Sequence, residues 1–292
     1  MPPLLPPVLQ NGPPPRPPAI PVHSVPLTGR KRTLLTSASY EASAGDQAHS
    51  HILSRSPPLP PSHPASRTVS AIGRRLLSSS PVKSPYPGPW TFAVISDRAT
   101  PNAFAVPANH VVVYSGLFRY ARTEDELAAV LAHEIGHVLA RHAGEKMSGD
   151  VKVRGGAAAL GALWGAATGG TGELARAAAA ATGGLLSELP NSREMEREAD
   201  YIGLRLMGAA CFDIGKAANF FERMEREERA QGGGGGGSWL STHPVHKERI
   251  DNIRRWSGEV GEEMRGRGQE CERVRRDWEI ARRGRPKAGG GL

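Results

Sequence analysis

The stretch TEDELAAVLAHEIGHVLARHAGEKM, Thr123–Met147, decides how the rest of this 292-residue chain is read. Thr123 followed three residues later by Glu126 is a capping box, in which hydroxyl and carboxylate satisfy each other's backbone N–H groups at a helix start. Leu127, Val130, Leu131, Val138 and Leu139 recur at helical spacing, so start signal and apolar face agree. The spacing predicts one continuous helix through Met147.

His133 and His137 lie one turn apart and share a face of that helix. Two imidazoles so placed can meet one Zn²⁺ at about 2.0–2.1 Å each, with Glu134 beside them to handle a water, the H-E-x-x-H arrangement of metal-assisted peptide hydrolysis. A catalytic zinc keeps three protein ligands and an open position, so a third ligand is needed. In the segment EMEREAD, Glu196 and Asp200 are four apart. Glu196 is the expected third ligand and Asp200 reaches back to hydrogen-bond a ligating histidine. Glu194 and Glu198 read as pointing elsewhere, and His142, five residues beyond His137, as a structural histidine off the ligating face. Glu134 is the expected general base. His243, in the segment STHP, is a candidate second donor to the developing oxyanion, or else a histidine that orders the Pro244 helix start.

Charge and composition are uneven along the chain. Residues 1–90 contain 20 of the 25 prolines and carry +7 of the net +8, residues 264–292 are again basic, and residues 91–263 sit at about −4. A folded core of that sign excludes a phosphate-binding face, so no nucleic-acid partner is expected. Two cysteines, Cys211 and Cys271, exclude a disulfide-scaffolded small domain and leave a single bridge or two free thiols open. No run of about 20 strongly apolar residues offers a transmembrane helix.

Three regions follow from this. Residues 1–88, rich in Pro, Ser and Arg, read as disordered, with the basic, acid-poor signature of a mitochondrial transit peptide. Residues 89–283 read as the folded domain: a short strand at Thr91–Ser96, a hairpin of Ala103–Val106 and His110–Tyr114 around Pro107-Ala108-Asn109, and a helical link Ser115–Ala121 into the Thr123 helix. A Gly/Ala-rich helical hairpin at 155–186, with Gly161, Gly165 and Gly169 at close-packing spacing, is expected to touch a membrane surface. Helices follow from Ser192, from Ile214 to Ala230 with Asp213 as its cap, from Val245 to Trp256 and near Glu270–Arg283, with a flexible glycine loop at 231–238. Residues 284–292 read as a disordered tail. Asn102, Ala103, Phe104 and Ala105 are expected to form an edge strand to which an extended substrate adds, a mode that a proline at Phe104 would cripple.

Three blocks, HEIGHVLARHAGEKMS, LLSELPNSREMEREADYIGLRLM and WLSTHPVHKERI, closely resemble in that order the mitochondrial inner-membrane zinc peptidases named for activity overlapping the m-AAA protease, with the bacterial HtpX-like and CAAX-prenyl-protease-like gluzincins as wider relatives. The resemblance implies an α+β, mainly helical gluzincin-type metallopeptidase domain with a small sheet edging the zinc cleft. It places one Zn²⁺ per chain on His133, His137 and Glu196, the base on Glu134 and the supporting acid on Asp200. It further implies an endopeptidase for inner-membrane proteins in mitochondrial quality control and stress response, at the inner membrane and facing the intermembrane space. Homo-oligomer formation stays open. A bacterial-type quality-control metallopeptidase and a catalytically silent metal-binding adaptor are the alternative readings. Two departures stand out: no hydrophobic segment precedes the peptidase region, and Pro107-Ala108-Asn109 stands where many relatives have Pro-Gly-Gly.

Overall fold

The computed structural model describes residues 22–150, 191–230, 238–245 and 247–283. The expectations for residues 1–21, the 155–186 hairpin, the 231–237 loop and the 284–292 tail lie outside these residues. The fold is α+β, with helices packed around one core and two small sheets.

Over residues 22–88, where composition leads one to expect disorder, the structure shows folded elements. From Val22 the chain forms a hairpin of β1 (Val22–Ser24) and β2 (Lys31–Thr33), then α1 (Ala38–Arg55) and α2 (Pro64–Ser78). Val69, Ile72 and Leu76 are fully buried and belong to the same core as Val130, Leu131 and Ile202. Average composition hid this stripe, because the prolines of the region gather in the connections rather than in the helix. Pro64 itself stands in the first turn of α2 after the capping His63, where its missing N–H costs nothing.

β3 (Thr91–Ile95), β4 (Ala103–Val106) and β5 (His110–Tyr114) make a sheet of order β3-β5-β4, with β5 parallel to β3 and antiparallel to β4. The hairpin turn runs through Ala108 and Asn109, both at positive φ. A 3₁₀ turn, Ser115–Arg119, leads into α3 (Glu124–Leu139), whose capping box forms as the sequence predicts.

The helix does not continue to Met147. It ends at Ala140, Arg141 turns into the left-handed region at φ 52°, and a second helical stretch occupies 142–150. A non-glycine residue enters that region only against a steric cost. The compensation comes from α1: Arg141 Nε and Nη2 donate to Glu41 at 3.0 and 2.7 Å, and Nη2 also to the Thr36 carbonyl at 3.1 Å. Glu41 is fully buried and takes a further hydrogen bond from Tyr86, so the pair is a fixed anchor.

α4 (Arg193–Ala209) packs along α3 at close range because glycines face each helix. A Cβ on Gly136 would lie 2.8 Å from the Ala199 carbonyl oxygen, and one on Gly203 would lie 3.1 Å from the His133 nitrogen. This approach brings Glu196 and Asp200 across to the two histidines. α5 (Gly215–Ala230), the single turn Trp239–Thr242, α6 (Lys247–Arg265) and α7 (Gly268–Arg283) complete the fold, and a Cys211–Cys271 disulfide ties α7 to the end of α4. No helix among the described residues is long and apolar enough to cross a membrane.

Candidate metal centre

His133, His137, Glu196 and His243 converge, each buried, with one ligand atom apiece lying within 4.8 Å of the others. His133 Nε2 is 3.0 Å from His137 Nε2 and 3.1 Å from His243 Nδ1, while the Glu196 oxygens lie 2.9–3.3 Å from the three rings. Donors bound at 2.0–2.1 Å to one tetrahedral ion stand about 3.3 Å apart, close to these separations.

Hydrogen bonding supports the same conclusion. Asp200 Oδ1 lies 2.9 Å from His133 Nδ1, so that nitrogen holds its proton and Nε2 is the one that a metal ion would take in place of a proton. Glu196 Oε2 is buried without a hydrogen-bond donor, though Arg249 Nη1 stands 3.1 Å away as an ion-pair partner. Burial disfavours a charged His133, yet Glu196 and Asp200 outweigh it and push its pKa up to about 9, so the pocket attracts positive charge. Burial likewise raises Glu196, but the facing His243, Arg249 and His133 hold its carboxyl well below the usual range, leaving it an anionic donor. Three imidazoles and one carboxylate are a zinc donor set.

Glu134 faces the same space. Its Oε1 accepts a hydrogen bond from Trp239 Nε1 at 2.8 Å and lies 3.4 Å from His243 Nε2. Trp239 is in turn stacked between Phe221 and His243, with ring centroids 5.1 and 4.6 Å away. A cleft of about 280 Å³ opens over the site, lined by Asn102, Phe104 and Ala105 on one side and by Glu134, His137 and His243 on the other. Ala103 faces the core instead and is fully buried. Among the described residues β4 pairs only with β5, so it is an edge strand.

A scan against family models matches residues 65–257 to peptidase family M48. The chain belongs to that family. It is therefore a zinc metallopeptidase, and its cofactor is Zn²⁺. Among relatives, it is 37% identical over 238 residues to the mitochondrial metalloendopeptidase OMA1 of Schizosaccharomyces pombe, covering 81% of this chain and 66% of that protein. It is 32% identical to the same-named protein of Saccharomyces cerevisiae, covering 81% and 69%. The beta-barrel assembly-enhancing protease of Escherichia coli is 30% identical over 64% of this chain and 37% of its own length. The chain thus spans about two thirds of the fungal relatives it matches.

Several residues of this M48 centre are not visible in a linear reading. Arg249, buried in α6, donates Nε to Asp200 Oδ2 at 2.7 Å and Nη2 to Oδ1 at 2.9 Å. Its only signal is a cationic residue on the face that carries Val245, Ile250 and Ile253. Glu198, expected to point elsewhere, is 2% exposed and lies 3.1 Å from His142 Nε2. His142, expected off the ligating face, places Nδ1 2.7 Å from His137 Nδ1, because the break at Arg141 rotates it back. His243 lines the cleft and also stands inside the donor cluster, with a ring nitrogen within 4.8 Å of the other three donor atoms.

Proposed function

We propose that this family M48 chain is an endopeptidase that cleaves extended segments of membrane-associated proteins in mitochondrial quality control. The observation that carries this reading is the convergence, on one cleft, of Glu134, a four-membered zinc donor set and the edge strand β4. His133, His137 and Glu196 would hold the ion, which when bound acidifies a water and polarises a carbonyl. Glu134 then takes the proton of the attacking water and delivers it to the leaving amine. Asp200 keeps His133 in the tautomer that offers Nε2, and Trp239 holds the Glu134 carboxylate toward the cleft. A substrate strand pairing with β4 presents its carbonyl to this group.

His243 Nδ1 lies 3.1 Å from His133 Nε2 and 2.9 Å from Glu196 Oε1, so in that place it would compete with water for the position that the three ligands leave open. On this reading His243 would leave that place for turnover and serve as a donor to the carbonyl oxygen.

The names of the fungal relatives support a mitochondrial location, and the Cys211–Cys271 bridge supports an oxidising compartment. Placement at the inner membrane facing the intermembrane space, with contact through 155–186, completes the proposal. The deciding experiment compares zinc content and cleavage of an unfolded protein substrate by wild type and Glu134→Gln. Bound zinc with a 10²–10⁴-fold loss of turnover is expected for the variant. Equal turnover would remove Glu134 from the chemistry, and a zinc-loaded wild type that cleaves nothing would favour a metal-binding adaptor.

A further inference from the structure

Glu198 receives donors at both oxygens: Oε1 accepts from Thr28 Oγ1 and Arg30 Nε, each at 2.9 Å, and Oε2 from Arg30 Nη2 at 2.8 Å and His142 Nε2 at 3.1 Å. A carboxylate held by a guanidinium fork is an acceptor only, so His142 must carry its proton on Nε2. A neutral His142 then has its lone pair on Nδ1, which lies 2.7 Å from His137 Nδ1. His137 therefore carries its own proton on Nδ1 and presents a bare Nε2 to the centre, 3.0 Å from His133 Nε2. The opposite arrangement would put a proton on His137 Nε2, where it would block ligation.

We propose that Glu198 and His142 are positioning residues that fix the metal-binding tautomer and ring orientation of His137, with Arg30 and Thr28 of the β1–β2 hairpin anchoring the far end of the relay. For His133 the same task falls to Asp200 directly; for His137 the partner of Nδ1 is a second imidazole, which spans the gap to Glu198.

The hairpin's part is specific. Arg30 also donates Nη1 and Nη2 to Glu145 at 2.9 and 2.6 Å, and Arg32 binds Glu145 and the Ala140 carbonyl. Those contacts clasp both sides of the helix break that turns His142 toward His137. The Glu41–Arg141 pair holds the break itself. The zinc-binding geometry of His137 is thus set partly by a segment more than 100 residues upstream.

The proposal rests on His137 being a zinc ligand, so its test has two tiers. In the full chain, zinc affinity is measured by chelator competition for wild type, His137→Ala, His142→Leu and His142→Asn. Failure of wild type to bind one zinc, or of His137→Ala to weaken it, overturns the site assignment. If both behave as ligands require, His142→Leu should weaken zinc 10–100-fold. His142→Asn, whose Oδ1 can accept from His137 Nδ1, should recover most of that affinity. Wild-type affinity in His142→Leu, or equal loss in Leu and Asn variants, overturns the relay alone.

A second readout keeps the proposal testable if His142→Leu fails to fold. In Glu198→Gln, ¹⁵N NMR of the zinc-loaded imidazoles and the visible spectrum of the cobalt-substituted protein should both shift from wild type. Unchanged spectra in a folded Glu198→Gln protein would show that Glu198 is mere packing.

Discussion

Arg249 grips Asp200 with two parallel hydrogen bonds, 2.7 and 2.9 Å, while the Asp200 Oδ1 that accepts one of them also accepts the proton of His133 Nδ1. The same guanidinium stands 3.1 Å from Glu196, so one buried cation balances two buried carboxylates. Replacing it by methionine leaves both without that partner, a change that costs about 3–5 kcal/mol. Chemical denaturation of metal-free Arg249→Met should show a loss of this size. Lysine should recover only part, lacking the planar fork.

Removing the His243 ring should open the fourth position without emptying the site. His243→Ala is expected to retain zinc through His133, His137 and Glu196, and its cobalt form should lose the absorption of a closed four-ligand centre. Turnover should fall about 10²-fold through loss of the donor. A variant with wild-type cobalt absorption would show that His243 does not complete the centre.

Substrate addition to β4 can be tested at one backbone position. Tyr114 N donates to the Asn102 carbonyl at 2.8 Å, so by alternation Phe104 bonds inward to Val112 while the Ala105 N–H points away from β5. Phe104→Pro would break the sheet, whereas Ala105→Pro removes only an outward donor. The Ala105→Pro protein should keep its thermal midpoint and zinc and lose most of its cleavage of extended substrates.

The Cys211–Cys271 bridge spans 60 residues of chain. In the chain-entropy model a loop of that length is worth about 4 kcal/mol. Double replacement by serine should lower the unfolding free energy by an amount approaching this, and dithiothreitol should reproduce the effect in wild type alone.

Glu126 offers a pH test remote from the metal. Burial raises its carboxyl, but the Arg223 guanidinium at 2.8 Å and the Arg122 and Thr123 N–H groups outweigh it and hold the pKa below the ordinary value. A depressed folded pKa gives stability that is present above the unfolded value of about 4.5 and fades as pH falls below it. The stability gap between wild type and Glu126→Gln should therefore be full near neutral pH and shrink on acidification. A gap independent of pH would mean that charge plays no part.

Local periodicity was enough to place His133, Glu134 and His137 on one capped helix, to pair Glu196 with Asp200 on another, and to read the hairpin that borders the cleft. Each of these rests on neighbours within four residues or on a turn, interactions that the linear sequence displays directly. The tertiary structure alone decided that the folded unit begins at Val22 among the described residues, that the motif helix breaks at Arg141, and that His142, Glu198, Arg249 and His243 join the centre. In most of these cases the deciding partner is remote: Glu41 lies 100 residues before Arg141, and Arg249 49 residues after Asp200. A buried charge takes its conformation from whichever opposite charge packing brings within about 3 Å, and no residue spacing along the chain records that encounter.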